Sequence, residues 1–264
     1  MNRIDTTFAR CRAEKRKALV MFVEAGDPTL AISEDLMLAV AEAGADIIEV
    51  GVPFSDPMAD GPAIQAASQR ALESGTTLRG ILAMVGRLRQ RTEVPLILFS
   101  YYNVMLQYGV EALARDSVVA GIDAWLVVDV PPEERGELAP ATAPHGIPLI
   151  TLLAPTTPPE RAQALLAQAA GFVYYITVTG VTGARDQLPE NLAGDLERVR
   201  VNSPVPVVAG FGVSTPEMAR TVAAHADGVV VGSALVKMMA SAAQPADGIR
   251  TCAEFVRSLA AAMR

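Results

Sequence analysis

Short runs of apolar and β-branched residues recur along the chain at residues 19–23, 46–50, 95–99, 124–128, 149–153, 172–177, 205–209 and 228–231. Each has the length of a buried strand, and most lack the polar alternation of a half-exposed one. Segments of helical periodicity lie between them, at residues 34–43, 63–73, 110–119, 160–170 and 216–224. Strand-then-helix alternation predicts parallel strands joined by right-handed crossovers. Eight such units, apolar on both faces, predict closure into a (β/α)₈ TIM barrel; an open doubly wound sheet usually stops at about five or six strands. Hydroxyl residues ahead of proline, with an acid in the first turn, mark helix starts at Ser214-Thr215-Pro216-Glu217 and Thr156-Thr157-Pro158-Pro159-Glu160. No linker or low-complexity stretch interrupts the pattern, so residues 1–264 are expected to form a single domain.

Composition agrees: half the residues are hydrophobic (51%) and only 5% aromatic, with 20 Gly and 18 Pro, as many short strands and tight turns require. Residues 1–17 hold Arg3, Arg10, Arg12, Lys15, Arg16 and Lys17 against Asp5 and Glu14, which predicts a short solvated N-terminal helix; a transit peptide is the alternative. A net charge of −7 argues against nucleic acid as a partner. No apolar stretch is long enough for a membrane span, and Cys11 and Cys252 stand alone at opposite ends, so a cytoplasmic location without disulfides is expected.

Active sites of parallel barrels form where the strands end, so the residues after each apolar run carry the chemistry. Three consecutive loops there are glycine-rich: Thr179-Gly180-Val181-Thr182-Gly183, Gly210-Phe211-Gly212-Val213 and Gly232-Ser233-Ala234. Any one could be an ordinary turn. Together, with a helix starting at Ser233, they present backbone N–H groups and a positive dipole end suited to a small phosphate. Glu49 sits inside the apolar run Ile47-Ile48-Glu49-Val50, on the same face as Ile47 and therefore pointing into the barrel. Burial there raises a carboxyl pKa toward the range useful for acid/base work, unless backbone groups satisfy it. The long loop that follows carries Asp56 and Asp60 among Pro53, Pro57 and Pro62. Either aspartate could be a second working acid, and either could merely cap the next helix. The chain's three lysines, Lys15, Lys17 and Lys237, avoid the strand ends, and its two histidines, His145 and His225, lie by helices away from any acidic pair. Schiff-base and metal-dependent aldol chemistry are therefore disfavoured, no metal site is expected, and carboxylate chemistry on a small phosphorylated substrate remains.

These motifs resemble the tryptophan synthase α subunits over nearly the whole chain. The resemblance rests on residues 45–62 (ADIIEVGVPFSDPMADGP), Ala25-Gly26-Asp27-Pro28, Tyr102-Asn103, Asp129-Val130-Pro131-Pro132-Glu133-Glu134, residues 154–161 (APTTPPER) and the glycine loops. It implies cleavage of indole-3-glycerol phosphate to indole and glyceraldehyde 3-phosphate, with Glu49 as catalytic acid/base and Asp60 as its partner. Phosphate would be held by Gly183, Gly212, Gly232 and Ser233. Phe22, Tyr101, Tyr174, Thr182 and Phe211 would line the indole and glycerol pocket, and Pro53, Asp56 and Asp129 would serve the partner interface and loop closure. The family's α chain uses no cofactor and works in an α₂β₂ heterotetramer with a β subunit that carries pyridoxal phosphate; stand-alone indole producers also exist. Glu24 stands where the family usually has threonine, and Val104 where it usually has proline. Glu24 is expected near Glu49, either raising its pKa by like-charge repulsion or pointing into solvent, while Val104 bears on partner affinity. Two other readings fit part of the pattern: a cofactor-free isomerase or decarboxylase on a phosphate-binding barrel, and a barrel retained as an allosteric or scaffolding subunit.

Overall fold

The computed structural model describes residues 2–176, 191–210 and 212–264. Its strands are β1 (Ala18–Glu24), β2 (Ile47–Gly51), β3 (Leu96–Ser100), β4 (Ala124–Val127), β5 (Thr151–Leu153), β6 (Val173–Ile176), β7 (Val207–Gly210) and β8 (Gly228–Val231). They form one 8-stranded sheet in the order β4-β3-β2-β1-β8-β7-β6-β5, with every pairing parallel. The two ends of that order meet just before β5. There Trp125 bridges to Leu149, its N–H donates to the Pro148 carbonyl at 3.0 Å, and the Ile150 N–H donates back to the Trp125 carbonyl at 2.9 Å. The sheet is thus a nearly closed TIM barrel, the fold expected from the apolar runs.

Alternation along the strands sorts side chains into two cores. Val20, Ile47, Ile97, Leu126, Ile150, Phe172, Val208 and Val230 point inward, and helix Arg3–Ala13 closes the bottom with Ile4, Phe8 and Cys11. The rings of Phe8 and Phe172 meet there at 6.0 Å. The intervening residues, among them Met21, Ile48, Leu98, Trp125 and Val229, face outward against the helices. Helix Leu30–Ala43 shows how local sequence sets this layer. Thr29 caps it by accepting from the Ile32 N–H at 3.3 Å, Leu36, Met37, Val40 and Ala43 bury one side, and Gly44 ends it at φ 116, a conformation that glycine adopts without strain.

Boundaries shift where proline intervenes. The run at 205–209 becomes a strand only from Val207, because Pro206 has no N–H to donate. Thr215 caps helix Pro216–Ala223 as expected, accepting from the Met218 N–H at 3.2 Å. The cap expected from Thr156 or Thr157 is not made. Pro158 occupies the N-cap position of helix Pro159–Leu166, and Thr157 instead accepts from the Ala154 N–H at 3.1 Å. Helix Leu78–Leu88 falls between the expected elements; Gly80 and Gly86 interrupt its apolar signal, yet Leu78, Ile81, Leu82, Val85 and Leu88 bury one face.

Three aspartates at strand starts tie the bottom of the barrel together. Asp46 accepts from the Leu19 N–H at 3.0 Å, Asp123 from the Leu96 N–H at 2.9 Å and Asp227 from the Val207 N–H at 3.0 Å. Each also carries basic partners: Arg16 and Arg10 on Asp46, Arg89 and Arg3 on Asp123, Lys17 and Arg200 on Asp227. The basic N-terminal segment is therefore spent largely on the barrel floor. No helix among the described residues is long and apolar enough to cross a membrane.

Candidate active site

At the opposite end of the barrel, Glu49 and Asp60 are buried carboxyl groups with no ion-pair partner among the described residues. Glu49 lies between Phe22 of β1 and Ile97 of β3 in register, on the inward face of β2, and is 0% exposed. Neither carboxyl oxygen has a hydrogen-bond partner among the described residues. Burial alone pushes its pKa from 4.5 to about 8, so at neutral pH the group is an acid that holds its proton. Backbone satisfaction, the structural alternative for Glu49, is not what the fold provides.

Asp60 reaches the same end from the loop after β2. That loop is pinned along its length: the Val52 N–H donates to the Phe99 carbonyl at 2.9 Å and the Phe54 N–H to Ser68 Oγ at 2.8 Å. The Ala59 N–H donates to the Tyr101 hydroxyl at 3.0 Å. The Tyr101 hydroxyl in turn donates to Asp60 Oδ2 at 2.8 Å, while its ring packs on Phe54 with centroids 5.1 Å apart. Asp60 is buried; desolvation raises its pKa and the Tyr101 bond holds it down. Asp56, its rival in the sequence, is exposed and accepts a hydrogen bond from Ser55 at 2.6 Å. Neither aspartate side chain caps helix Pro62–Glu73, whose N-cap is Gly61. The ambiguity therefore resolves toward Asp60 as the buried acid, with Tyr101 serving as its hydrogen-bond donor.

Apolar and phenolic groups surround the two acids. Phe22 meets Phe99 edge-on at 5.1 Å, and with Ile64, Ala67 and Val236 they form a small cluster above the main interior core. Phe99 belongs to this wall although nothing in the sequence distinguished it from ordinary core. Tyr174 faces inward from β6; burial first, then the charges of Glu49 and Asp60, push its pKa well up, so its phenol stays protonated beside both acids. Glycines leave room for these rings. A Cβ on Gly51 would lie 2.5 Å from Phe22 Cζ, and one on Gly210 would lie 2.4 Å from the Tyr174 hydroxyl.

Of the expected phosphate ligands, Gly232 and Ser233 open helix Ser233–Ser241 directly after β8, with no side chain capping its N-terminus. Gly212 follows β7 at φ 60. Gly183, Thr182 and Phe211 lie outside the described residues. Asp129 is exposed after β4 and accepts from the Tyr102 N–H at 2.8 Å, so it caps helix Tyr102–Tyr108 from outside; Pro53 is buried in the Asp60 loop. Glu24 departs from both expectations. It is 4% exposed rather than solvated, and the like charge acting most strongly on it is Asp60, while Glu49 owes its shift to burial alone. The two histidines stay apart from the site: His145 is exposed and His225 half-buried, both on the helical side of the barrel.

Two buried carboxyl groups at the C-terminal end of a parallel barrel, one without a partner among the described residues and one bonded to a tyrosine hydroxyl, give the layout of an enzyme site. The tryptophan synthase alpha chain family profile matches residues 8–264, and the chain belongs to that family. The tryptophan synthase alpha chain of Citrifermentans bemidjiense is 55% identical over 237 residues, covering 90% of this chain and 89% of its own length. That of Desulfosudis oleivorans is 47% identical over 264 residues, with both chains covered in full (100%). The crystal structure of tryptophan synthase subunit alpha from Legionella pneumophila superposes with a TM-score of 0.92 at 38% identity, covering 100% of this chain and 98% of that one.

Proposed function

We propose that the chain cleaves indole-3-glycerol phosphate to indole and glyceraldehyde 3-phosphate, a carbon–carbon lyase step of tryptophan biosynthesis. Family membership supplies the substrate and the geometry of Glu49 carries the mechanism: a carboxyl with no solvent and no partner among the described residues is protonated at neutral pH, as a general acid must be. Indole is a poor carbanion leaving group, so Glu49 first protonates C3 of the ring. Positive charge then develops on the indole nitrogen, where the Asp60 carboxyl, hydrogen-bonded by Tyr101, stabilises it. Glu49, now a carboxylate, takes the proton of the side-chain hydroxyl. The C–C bond breaks, the aldehyde forms and the bond's electron pair returns to the ring, restoring Glu49 to its acid form without a cofactor. Phe22, Phe99 and Tyr174 enclose the indole, and the phosphate rests on the N-terminus of helix Ser233–Ser241 with Gly212 beside it.

The chain works with a pyridoxal-phosphate-bearing β subunit in an α₂β₂ assembly in the cytoplasm. Met58 (83% exposed) and Leu106 (51% exposed) support the docking reading, since they stand in the segments that leave the same end of adjacent strands β2 and β3. The two cysteines are buried free thiols, as a reducing compartment allows. Indole release from indole-3-glycerol phosphate, measured with and without a β subunit and for Glu49→Gln and Asp60→Asn, tests the whole reading. Release that the β subunit accelerates and that Glu49→Gln abolishes is the expected result. No release under either condition sinks the lyase assignment.

A further inference from the structure

We infer that the floor of the barrel carries a second ligand site, a cationic cavity between helices Arg3–Ala13 and Leu192–Asn202 that takes a small organic anion of two or more charges with an apolar body. It lies at the end of the barrel opposite the two acids and does not depend on the lyase reading. The cavity measures about 520 Å³, inside the usual span of small-molecule sites. Its walls come from the end of helix Arg3–Ala13 and the residues after it, from helix Leu192–Asn202, and from the residues just ahead of β7 and β8. Phe8 lines it from the barrel side.

The chain as a whole has a net charge of −7, yet in this cavity Arg12, Lys15, Lys17 and Arg200 face only Asp227 and Glu197. Arg16 also lines it, but its guanidinium is bound to Asp46 and Glu14. The Arg12 and Lys15 side chains have no ion-pair or hydrogen-bond partner among the described residues. Lys17 and Arg200 share one carboxylate, Asp227, at 3.9 and 3.3 Å. Burial lowers the Lys17 pKa, Asp227 opposes that and the Arg200 charge adds to it, so the pair is short of negative charge. Glu197, the remaining acid, is exposed to solvent. Arg200 Nε is buried with no hydrogen-bond partner among the described residues. A turn of that guanidinium presents Nε to an anion, while Lys17 and the Val207 N–H keep Asp227 occupied.

The backbone at Lys15 is an independent mark of the same place. Lys15 stands at φ 55, in the left-handed region, where every other described residue at positive φ is a glycine. Its N–H donates to the Arg12 carbonyl at 3.1 Å and the Arg16 N–H to the Cys11 carbonyl at 3.0 Å, the paired bonds of a helix stop that usually carries glycine. Gly44 and Gly121 fill that position after two other helices of the chain. A lysine there costs stability that glycine does not, and it sets an ammonium group on the cavity wall. On the side of helix Leu192–Asn202, Val201 is 77% exposed and lines the cavity with Pro204 and Val205, an apolar ledge for the body of the ligand.

The test is an amide NMR titration of the isotope-labelled full chain, in low-salt buffer free of phosphate, with phenyl phosphate and separately with inorganic phosphate. Amides of Lys15, Lys17, Arg200 and Val201 report the floor. Those of Gly212 and Ser233 report the mouth, so binding at the proposed substrate-phosphate position is read apart from it. Phenyl phosphate is expected to move the floor amides saturably with a Kd of about 1 mM or below, and inorganic phosphate, which lacks the apolar body, to bind about tenfold more weakly. Arg12→Gln and Lys15→Gly each weaken phenyl phosphate about tenfold, the worth of one charge-assisted hydrogen bond. Arg257→Gln, an exposed arginine of helix Pro245–Ala262 outside the cavity, stays within about twofold of wild type. Lys15→Gly also melts above the wild type, so its weaker binding cannot be charged to a damaged fold. Floor shifts that fail to saturate, an equal loss in Arg257→Gln, or inorganic phosphate binding as tightly as phenyl phosphate overturns the site. Shifts confined to the mouth overturn it too and leave the substrate-phosphate position standing.

Discussion

Replacing Tyr101 by Phe removes one oxygen and keeps the ring, and so separates two roles that the sequence could not. If Tyr101 only lines the pocket, its ring packing on Phe54 survives and activity is nearly unchanged. The structure assigns the hydroxyl a specific task, donating to Asp60 Oδ2 at 2.8 Å in a site where neither partner is open to solvent. A buried hydrogen bond to a charged acceptor contributes about 1.5–3 kcal/mol. If that contribution is felt where charge develops on the indole nitrogen, kcat falls roughly ten- to hundredfold.

The sign of the pH effect follows from the same contact. Burial raises the Asp60 pKa and the Tyr101 bond opposes it, so losing the hydroxyl lifts that pKa further. The acidic limb of kcat/KM for Tyr101→Phe is then displaced to higher pH, while the alkaline limb, set by Glu49, stays in place. Steady-state indole release between pH 5 and 9 reads both limbs. The Ala59 N–H, which also loses an acceptor, sits on an exposed residue and can turn to water, so global stability changes little. An activity within about twofold of wild type, or an unmoved acidic limb, refutes the assignment of Tyr101 as the group that holds the Asp60 pKa down.

Glu49→Gln is expected to lose activity by at least about a hundredfold, the usual worth of a general acid. It also flattens a stability profile: the folded-state pKa stands above the ordinary 4.5, so stability is full below 4.5 and is lost as pH rises toward about 8, at up to about 1.4 kcal/mol per pH unit; urea midpoints that keep the wild-type slope in the variant contradict it. Asp46→Asn removes the charge that pairs Arg16 and Arg10 and turns one of the two acceptor oxygens, shared with the Leu19 N–H, into a donor on the barrel floor. Because both arginines are partly solvated, thermal unfolding should show a loss of about 1–3 kcal/mol with kcat retained. Gly51→Ala drives a methyl to 2.5 Å from the Phe22 ring and 2.6 Å from the Glu24 carboxylate; an overpacking cost of about 1–3 kcal/mol and a raised KM are expected, and a variant with wild-type KM would show that the ring has room to move.

Much of the barrel was legible because parallel strands are buried on both faces and leave continuous apolar runs; the run at Gly228–Val231 coincides with its strand end to end. Glu49 was legible for the complementary reason, being one charged letter inside such a run. Elsewhere the letters carry less. Asp56 and Asp60 share one loop, and what separates them is a tyrosine from the next strand. Tyr101 itself reads alike as an indole wall and as a phenol donor, and only the fold shows its hydroxyl bridging Ala59 and Asp60. Glu24 ends a strand, where a side chain can turn to solvent or inward, and only the fold shows it buried beside Gly51 of the neighbouring strand. Helix Leu78–Leu88 is blurred by two glycines whose cost, about 1 kcal/mol each, is offset by its buried face.

The two ends of the barrel use the same residue type to opposite ends. On the floor, Asp46, Asp123 and Asp227 each meet cations and a strand N–H, which lets them stay ionised and hold strand starts in register. At the mouth, Glu24 and Glu49 are buried with no ion-pair partner among the described residues, an arrangement that costs folding energy wherever they ionise. A sequence shaped for stability alone would fill those positions with apolar side chains, as it does at Val20 and Ile47 one layer below. Under the proposed mechanism Glu49 fits this exception, because a group that must give up a proton to carbon near neutral pH needs an environment that penalises its charge. The separation also lets the floor be altered without touching the chemistry, which is what the contrast between Asp46→Asn and Glu49→Gln measures.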